Sequence, residues 1–264
     1  MKRSTKFLAG LAATAIVSSA QAVTVAGVTW DPSSIFDFSA TDSMIETIVG
    51  NVGDTLSGFA IVTRINNTDD NVFCASGCEV TYVFDGYTVS SNTAPGGAGN
   101  QLVFTGGTIS IYADATPDYN GTSRALAADG VLFLQLAGAL HYDPSTNAIG
   151  TLHSDPTPAS TGIAGDGRGF LNVVGGAAAA YFDTNTLPID TNGDLVADAF
   201  ADFQFTSSFQ LIPGGSFVDA GITYGIFGTN EIQGDSVAIP EPGTLSLFGL
   251  ALLGAGALRR RIAR

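Results

Sequence analysis

The densest run of oxygen ligands in this 264-residue chain is Asp190-Thr191-Asn192-Gly193-Asp194-Leu195-Val196-Ala197-Asp198. Counted from Asp190, the side-chain oxygens of Asp190, Asn192, Asp194 and Asp198 fall at places 1, 3, 5 and 9. That alternation suits calcium, a hard ion that takes oxygens from a short, flexible loop. The same residues also make an acidic turn, because Asn192-Gly193 is itself a strong hairpin signal. Both readings stay open. The two cysteines, Cys74 and Cys78, flank Ala75-Ser76-Gly77 and are expected to pair in an oxidising compartment. Their closed loop is so short that its entropic gain is modest, and no further soft ligands flank it to hold a metal. His153-Ser154-Asp155 holds the residue types of a hydrolase triad. Neighbours along a chain rarely converge as a triad must, and no Gly-x-Ser-x-Gly elbow accompanies them. His153 and His141, the two histidines, therefore read as loop or strand-end residues. Gly165-Asp166-Gly167-Arg168-Gly169 lacks the lysine of a phosphate loop and reads as a flexible loop. No catalytic residue is assigned, and the protein is expected not to be an enzyme.

The Asp190 to Asp198 run resembles the Asp-rich calcium loops of EF-hand and dockerin-like modules. It departs from the EF-hand pattern in having glycine at the fourth place instead of the sixth. Ala201 stands where a bidentate glutamate would sit, with Asp202 one residue late.

The elements that would carry these residues are strands. Phe203, Phe205, Phe209 and Leu211 share one face with Ser207, while Gln204, Thr206, Ser208 and Gln210 share the other. Val80, Tyr82 and Phe84 alternate in the same way, as do Phe59, Ile61 and Ile65. Residues 131–136 are apolar on both faces and read as a central strand. Turn signals such as Asp85-Gly86, Asp129-Gly130 and Pro213-Gly214-Gly215 separate the runs. Helical periodicity is scarce, with its best candidate at residues 42–49. Residues 143–169, rich in Pro, Ser, Thr and Gly, read as a long loop. The expected fold is all-β: a β-sandwich, with a jelly roll as its candidate topology, in a single domain between terminal sorting segments.

Charge separates that domain from its ends. Both lysines and Arg3 lie in the first seven residues, and Arg259, Arg260, Arg261 and Arg264 lie in the last six. Between residues 23 and 239 stand three arginines (Arg64, Arg124, Arg168) and 23 of the 24 carboxylates, a formal −20. Such a body repels phosphates, so no nucleic-acid partner is expected. Residues 1–22 have the anatomy of a signal peptide: a basic start, an apolar run at 7–17, and the small-x-small pattern Ala20-Gln21-Ala22 for signal peptidase. The body is residues 23–238. At the other end, Pro240-Glu241-Pro242 precedes an uncharged apolar run at 243–258 and the arginine cluster. As a helix that run would be about 24 Å long at about 1.5 Å per residue. It is marginal for a hydrocarbon core of about 30 Å, with its arginines retained in the cytoplasm.

Pro240-Glu241-Pro242, the apolar stretch and Arg259, Arg260 and Arg261 together resemble the PEP-CTERM sorting signal, over residues 239–264. The resemblance implies transient insertion in the inner membrane, recognition by exosortase (a membrane transpeptidase) and removal of the tail near the triplet. It implies a protein of the cell surface or extracellular matrix. Some members of that class are associated with flocculation, and this body is similar to theirs in being β-rich, glycine-rich and free of lysine. The expected role is support of biofilm or floc cohesion with extracellular polysaccharide. Two alternatives stay open. One is a carbohydrate-binding module using aromatics such as Trp30, Tyr87, Tyr112, Tyr119 or Tyr224; the other is a secreted hydrolase.

Overall fold

The computed structural model describes residues 22–34, 38–93, 101–159 and 162–239. Ala20 and the sorting residues Pro240, Glu241, Pro242, Arg259, Arg260 and Arg261 lie outside them, and Ala22 is exposed at the first described position. A hairpin of β1 (Val23–Val25) and β2 (Val28–Trp30) leads into β3 (Phe38–Thr47), β4 (Thr55–Ile61), and the short β5 (Arg64–Ile65) and β6 (Thr68–Asp69). After α1 (Asp70–Phe73) come the long strands β7 (Glu79–Thr93) and β8 (Gln101–Asp114), then β9 (Val131–Ala139). A hairpin of β10 (His141–Asp143) and β11 (Ala148–Gly150) precedes β12 (Leu152–Ala159) and β13 (Gly162–Gly175). The chain ends through α2 (Ala179–Phe182), β14 (Leu187–Ile189), β15 (Ala199–Ala201), β16 (Phe203–Leu211), β17 (Phe217–Asp219) and β18 (Ile222–Gly234).

Eight positions close into a ring of antiparallel strands: β3, β4, β7, β8, a shared fifth position, β13, β16 and β18. The fifth position is filled end to end by two strands. β9 pairs with β8 through residues 108–113 and with β13 through 170–175, whereas β12 pairs with β8 through 102–104 and with β13 through 162–169. The β10–β11 hairpin is the excursion between them. Closure comes from β18 against β3, with Phe227 opposite Ile45 and Tyr224 opposite Thr47. A closed sheet leaves no long unpaired edge to recruit another chain.

The all-β, single-domain expectation therefore holds, and the two facing layers belong to one sheet curled upon itself. Successive ring strands are neighbours in the sheet, a meander order without the crossovers that a jelly roll needs. Residues 42–49, the expected helix, run through β3 instead: Met44 and Glu46 are buried, while the intervening Ile45 packs against Phe59 and Val83 in a separate cluster. Residues 143–169, the expected loop, contain β11, β12 and much of β13. These strands are poor in large apolar residues, and inward positions such as Ser154 and Gly167 border open space in the barrel interior. Pairing on both sides supplies what their propensity lacks. Gly165 to Gly169 lie in β13 and form no flexible loop.

The alternation of β16 is realised position by position, with Phe203 buried and Gln204, Thr206, Ser208 and Gln210 exposed. Val80, Tyr82 and Phe84 all enter the main core. Two wall positions require glycine for close approach. A Cβ on Gly58 would stand 2.3 Å from the Phe84 ring that lies across it, and one on Gly234 would stand 2.5 Å from Phe203. One barrel end is plugged by the β1–β2 hairpin and α2. Trp30 stacks on Phe182 at 5.1 Å, meets Phe133 and Tyr181 edge-on, and donates its Nε1–H to Ser236 Oγ at 3.1 Å. Burying an indole with its donor satisfied is a strong local anchor.

Candidate functional site

The opposite end of the barrel holds a pocket. It comprises about 690 Å³ of atom-free space, its open mouth included, and takes lining residues from β3, β4, β7, β8, β12, β13, β16 and β18. The walls are mostly apolar, with Leu56, Phe84, Phe104, Ile109, Leu152 and Phe205 among them. Polar side chains interrupt this surface at Glu46, Thr47, Ser154 and Ser207, and Tyr87 also borders it. Gly167 also borders it; a Cβ there would stand 2.5 Å from Ser207 Oγ, so glycine keeps the space open. The last described residues, 235–239, pack at the plugged end, where the Val237 amide donates to the Tyr181 carbonyl. The pocket therefore opens at the end opposite these residues.

Glu46 sits on β3 between Gly58 of β4 and Ile226 of β18. It is 7% exposed, and among the described residues its carboxyl has no hydrogen-bond or ion-pair partner. Burial pushes its pKa up to about 8, so at neutral pH it is an uncharged acid that can both donate and accept. Deeper in the same interior, Tyr82 donates its hydroxyl to Asn230 Oδ1 at 2.6 Å, while Asn230 Nδ2 has no partner. Ser207 is the register partner of Asn230. Polar groups thus mark the barrel's middle, and apolar ones the walls leading to it.

A second cluster lies on the outer wall beneath the β10–β11 hairpin. His141 opens β10 and His153 is the second residue of β12, so both are strand-end residues as expected; both are also buried, with ring centres 4.8 Å apart. His153 Nδ1 lies 2.7 Å from Thr146 Oγ1, and its Nε2 has no partner. Burial, reinforced by the neighbouring His141, lowers His153 to about 4. Burial lowers His141 as well. Both rings are neutral at pH 7. Alongside them Arg168 forks onto Asp143 and reaches Asp155 at 2.7 Å, tying the hairpin to the wall. Hydrogen bonds from Ser145 and the Arg168 guanidinium overcome burial and hold Asp143 at about 2. His153, Ser154 and Asp155 are consecutive on β12, so His153 lies in this outer cluster and Ser154 in the pocket; they form no triad.

The other expected site residues are placed as follows. Cys74 and Cys78 are joined in a disulfide just after α1, beside the β1–β2 hairpin. Asp190, Asn192, Asp194 and Asp198 occupy the loop from β14 to β15. Asp190 accepts from the amides of Asn192, Gly193 and Leu195, and Asp198 accepts from Thr191 and from the Asn192 side chain. Those bonds describe a self-capped acidic turn. Among the described residues, the carboxylates that converge are Glu79, Asp114 and Asp118. There Glu79 already accepts from the amides of Asp118 and Tyr119. Of the aromatics considered for sugar stacking, Trp30, Tyr87 and Tyr224 are core residues, and the Tyr119 hydroxyl is buried.

Glu46 carries no motif, and Gly167 was noticed only within the glycine-rich run 165–169, where nothing marked it as lining a pocket. The one available signal was an acidic residue interrupting the apolar run 44–49.

Comparison with known proteins identifies the tail. Residues 238–261 match the PEP-CTERM protein-sorting motif. No curated protein and no solved structure matches the chain. The motif defines an exported protein, an exosortase substrate sorted to the cell surface. What is sorted is a single-domain, closed β-barrel body.

Proposed function

We propose that the sorted barrel is a non-catalytic surface or matrix protein that helps cells cohere with extracellular polysaccharide in flocs or biofilms. The observation that carries this reading is the outer face of β16 and its neighbours. Gln204, Thr206, Ser208 and Gln210 project from β16 as an exposed polar row. Thr229, Glu231 and Gln233 of β18 are in register beside them, with Asp166 and Arg168 of β13 on the other side. Amides and hydroxyls set on a sheet can donate to and accept from the hydroxyls of a glycan. Weak contacts of this kind become effective when many surface-bound copies engage one polymer. Processing by signal peptidase and exosortase delivers the body to where such a polymer lies.

The test is a clean deletion strain, complemented by the full gene and by one lacking the codons for residues 238–264. Deletion should weaken aggregate cohesion under shear while polysaccharide yield stays normal, and only the full gene should restore it. Unchanged cohesion in the deletion strain overturns the proposal.

A further inference from the structure

An apolar pocket containing one buried acid without a partner is costly to leave unfilled. A carboxyl largely withdrawn from water and given no partner destabilises the fold, and a void among apolar side chains forfeits their packing. Small residues keep the space open at the price of stability. Gly167 and Ser207 face each other where larger side chains would fill the barrel, and Ser154 stands where its strand neighbour Leu152 is apolar. Glu46 is nine-tenths buried, lines this space, and has no partner among the described residues. In small barrels the interior is filled by side chains or holds one small ligand.

We propose that the barrel interior binds one small uncharged amphiphile, its chain among Leu56, Phe84, Phe104, Ile109 and Phe205 and its hydroxyl or carbonyl group meeting the carboxyl of Glu46. The residue set selects the class. Apolar walls from all eight ring positions exclude a strongly hydrated molecule such as a sugar. The lining offers no basic side chain to neutralise an anionic head. A neutral carboxylic acid can donate to a carbonyl, or donate to and accept from a hydroxyl. The pocket opens at the end opposite residues 235–239, which pack by the plug. This binding is independent of the cohesive role and goes beyond it.

The experiment uses the exported protein purified from its native host, titrated by calorimetry with 1-octanol, octanoate and octylamine at neutral pH. 1-Octanol should bind with one-to-one stoichiometry and more tightly than either charged analogue. Glu46→Gln, which keeps a neutral donor and acceptor, should bind within about threefold of the natural protein, while Glu46→Leu should lose about tenfold, the worth of one hydrogen bond. Ser154→Leu and Ser207→Leu should each fill the pocket and abolish binding. Urea unfolding identifies which of the two remains folded, and either suffices. Absence of 1-octanol binding to the folded natural protein overturns the proposal. So does undiminished binding in a folded pocket-filling variant, or tighter binding of octanoate or octylamine.

Discussion

Replacing Glu46 by glutamine should leave stability nearly unchanged in acid and raise it strongly in base. Burial pushes the Glu46 carboxyl from an ordinary 4.5 up to about 8. A carboxyl raised in this way holds its proton more tightly in the native state than in the unfolded chain. Its contribution is therefore complete below pH 4.5 and drains away as the pH climbs toward 8. Over those roughly 3.5 pH units, at about 1.4 kcal/mol each, the loss approaches about 5 kcal/mol. That is a large share of the roughly 5–15 kcal/mol that holds a domain folded. The titratable group that senses Glu46 is Tyr82, itself raised by burial, and the facing positions Gly58 and Ile226 carry no charge. His153 slopes the other way. Its value is lowered from 6.5 to about 4, so the stability it contributes is present above pH 6.5 and lost as the pH falls toward 4. Between pH 4.5 and 6.5 the slope from Glu46 opposes those from His153 and His141, so the natural protein should lose no stability there, and a fall of about 2 kcal/mol follows up to pH 8. Glu46→Gln removes one slope alone. Its stability should rise from pH 4.5 to 6.5 and then level off. The gap between the two proteins should widen from under about 1 kcal/mol at pH 5 to about 5 kcal/mol at pH 8. Urea unfolding at pH 5, 6.5 and 8, followed by circular dichroism, measures this directly. Curves that stay parallel across that range would refute a buried, unpartnered Glu46.

Three further outcomes follow from the packing. Trp30→Ala removes the plug beneath Phe133, Tyr181 and Phe182 and should cost about 3–5 kcal/mol, read as a lowered urea midpoint with exposed apolar surface detected by dye binding. Gly58→Ala places a Cβ 2.1 Å from the Ile45 carbonyl and against the Phe84 ring, so it should destabilise by more than about 2 kcal/mol; Phe84→Leu in the same chain should recover part of that loss. Arg168→Met leaves the mostly buried Asp143 without its cation. Because Arg168 is itself about one-third exposed, the cost should be about 1–3 kcal/mol, with faster amide exchange confined to the β10–β11 hairpin.

Much of this protein was legible along the chain because its signals are local. A sorting tail is read as an ordered string of triplet, apolar run and arginines, and residues 238–261 match that motif. Strand alternation is equally local: the period of two in residues 203–211 and 80–84 told which side chains face inward, and they do. The cysteine pair, four residues apart, could hardly find another partner. Local signals also misled where composition hid the pairing. Residues 143–169 lack the large apolar side chains of a typical strand, and become β11, β12 and β13 because neighbouring strands complete their hydrogen bonds. Residues 42–49 present apolar residues on both sides, since Met44 faces the barrel interior and Ile45 joins an outer cluster.

Only the tertiary structure decided that the sheet closes. The joint is β3 against β18, partners nearly the whole body apart in sequence, and an inward-facing residue reads the same whether it faces a second sheet or the far wall of its own. Closure in turn decided the chemistry. It made Glu46 a solitary acid in an apolar pocket and placed Gly167 where a side chain would have filled the space. It also set His153 and Ser154, adjacent in sequence, in two different environments. Each of these results depends on which atoms lie across the barrel, and that information is carried by long-range pairing, outside the reach of any local pattern.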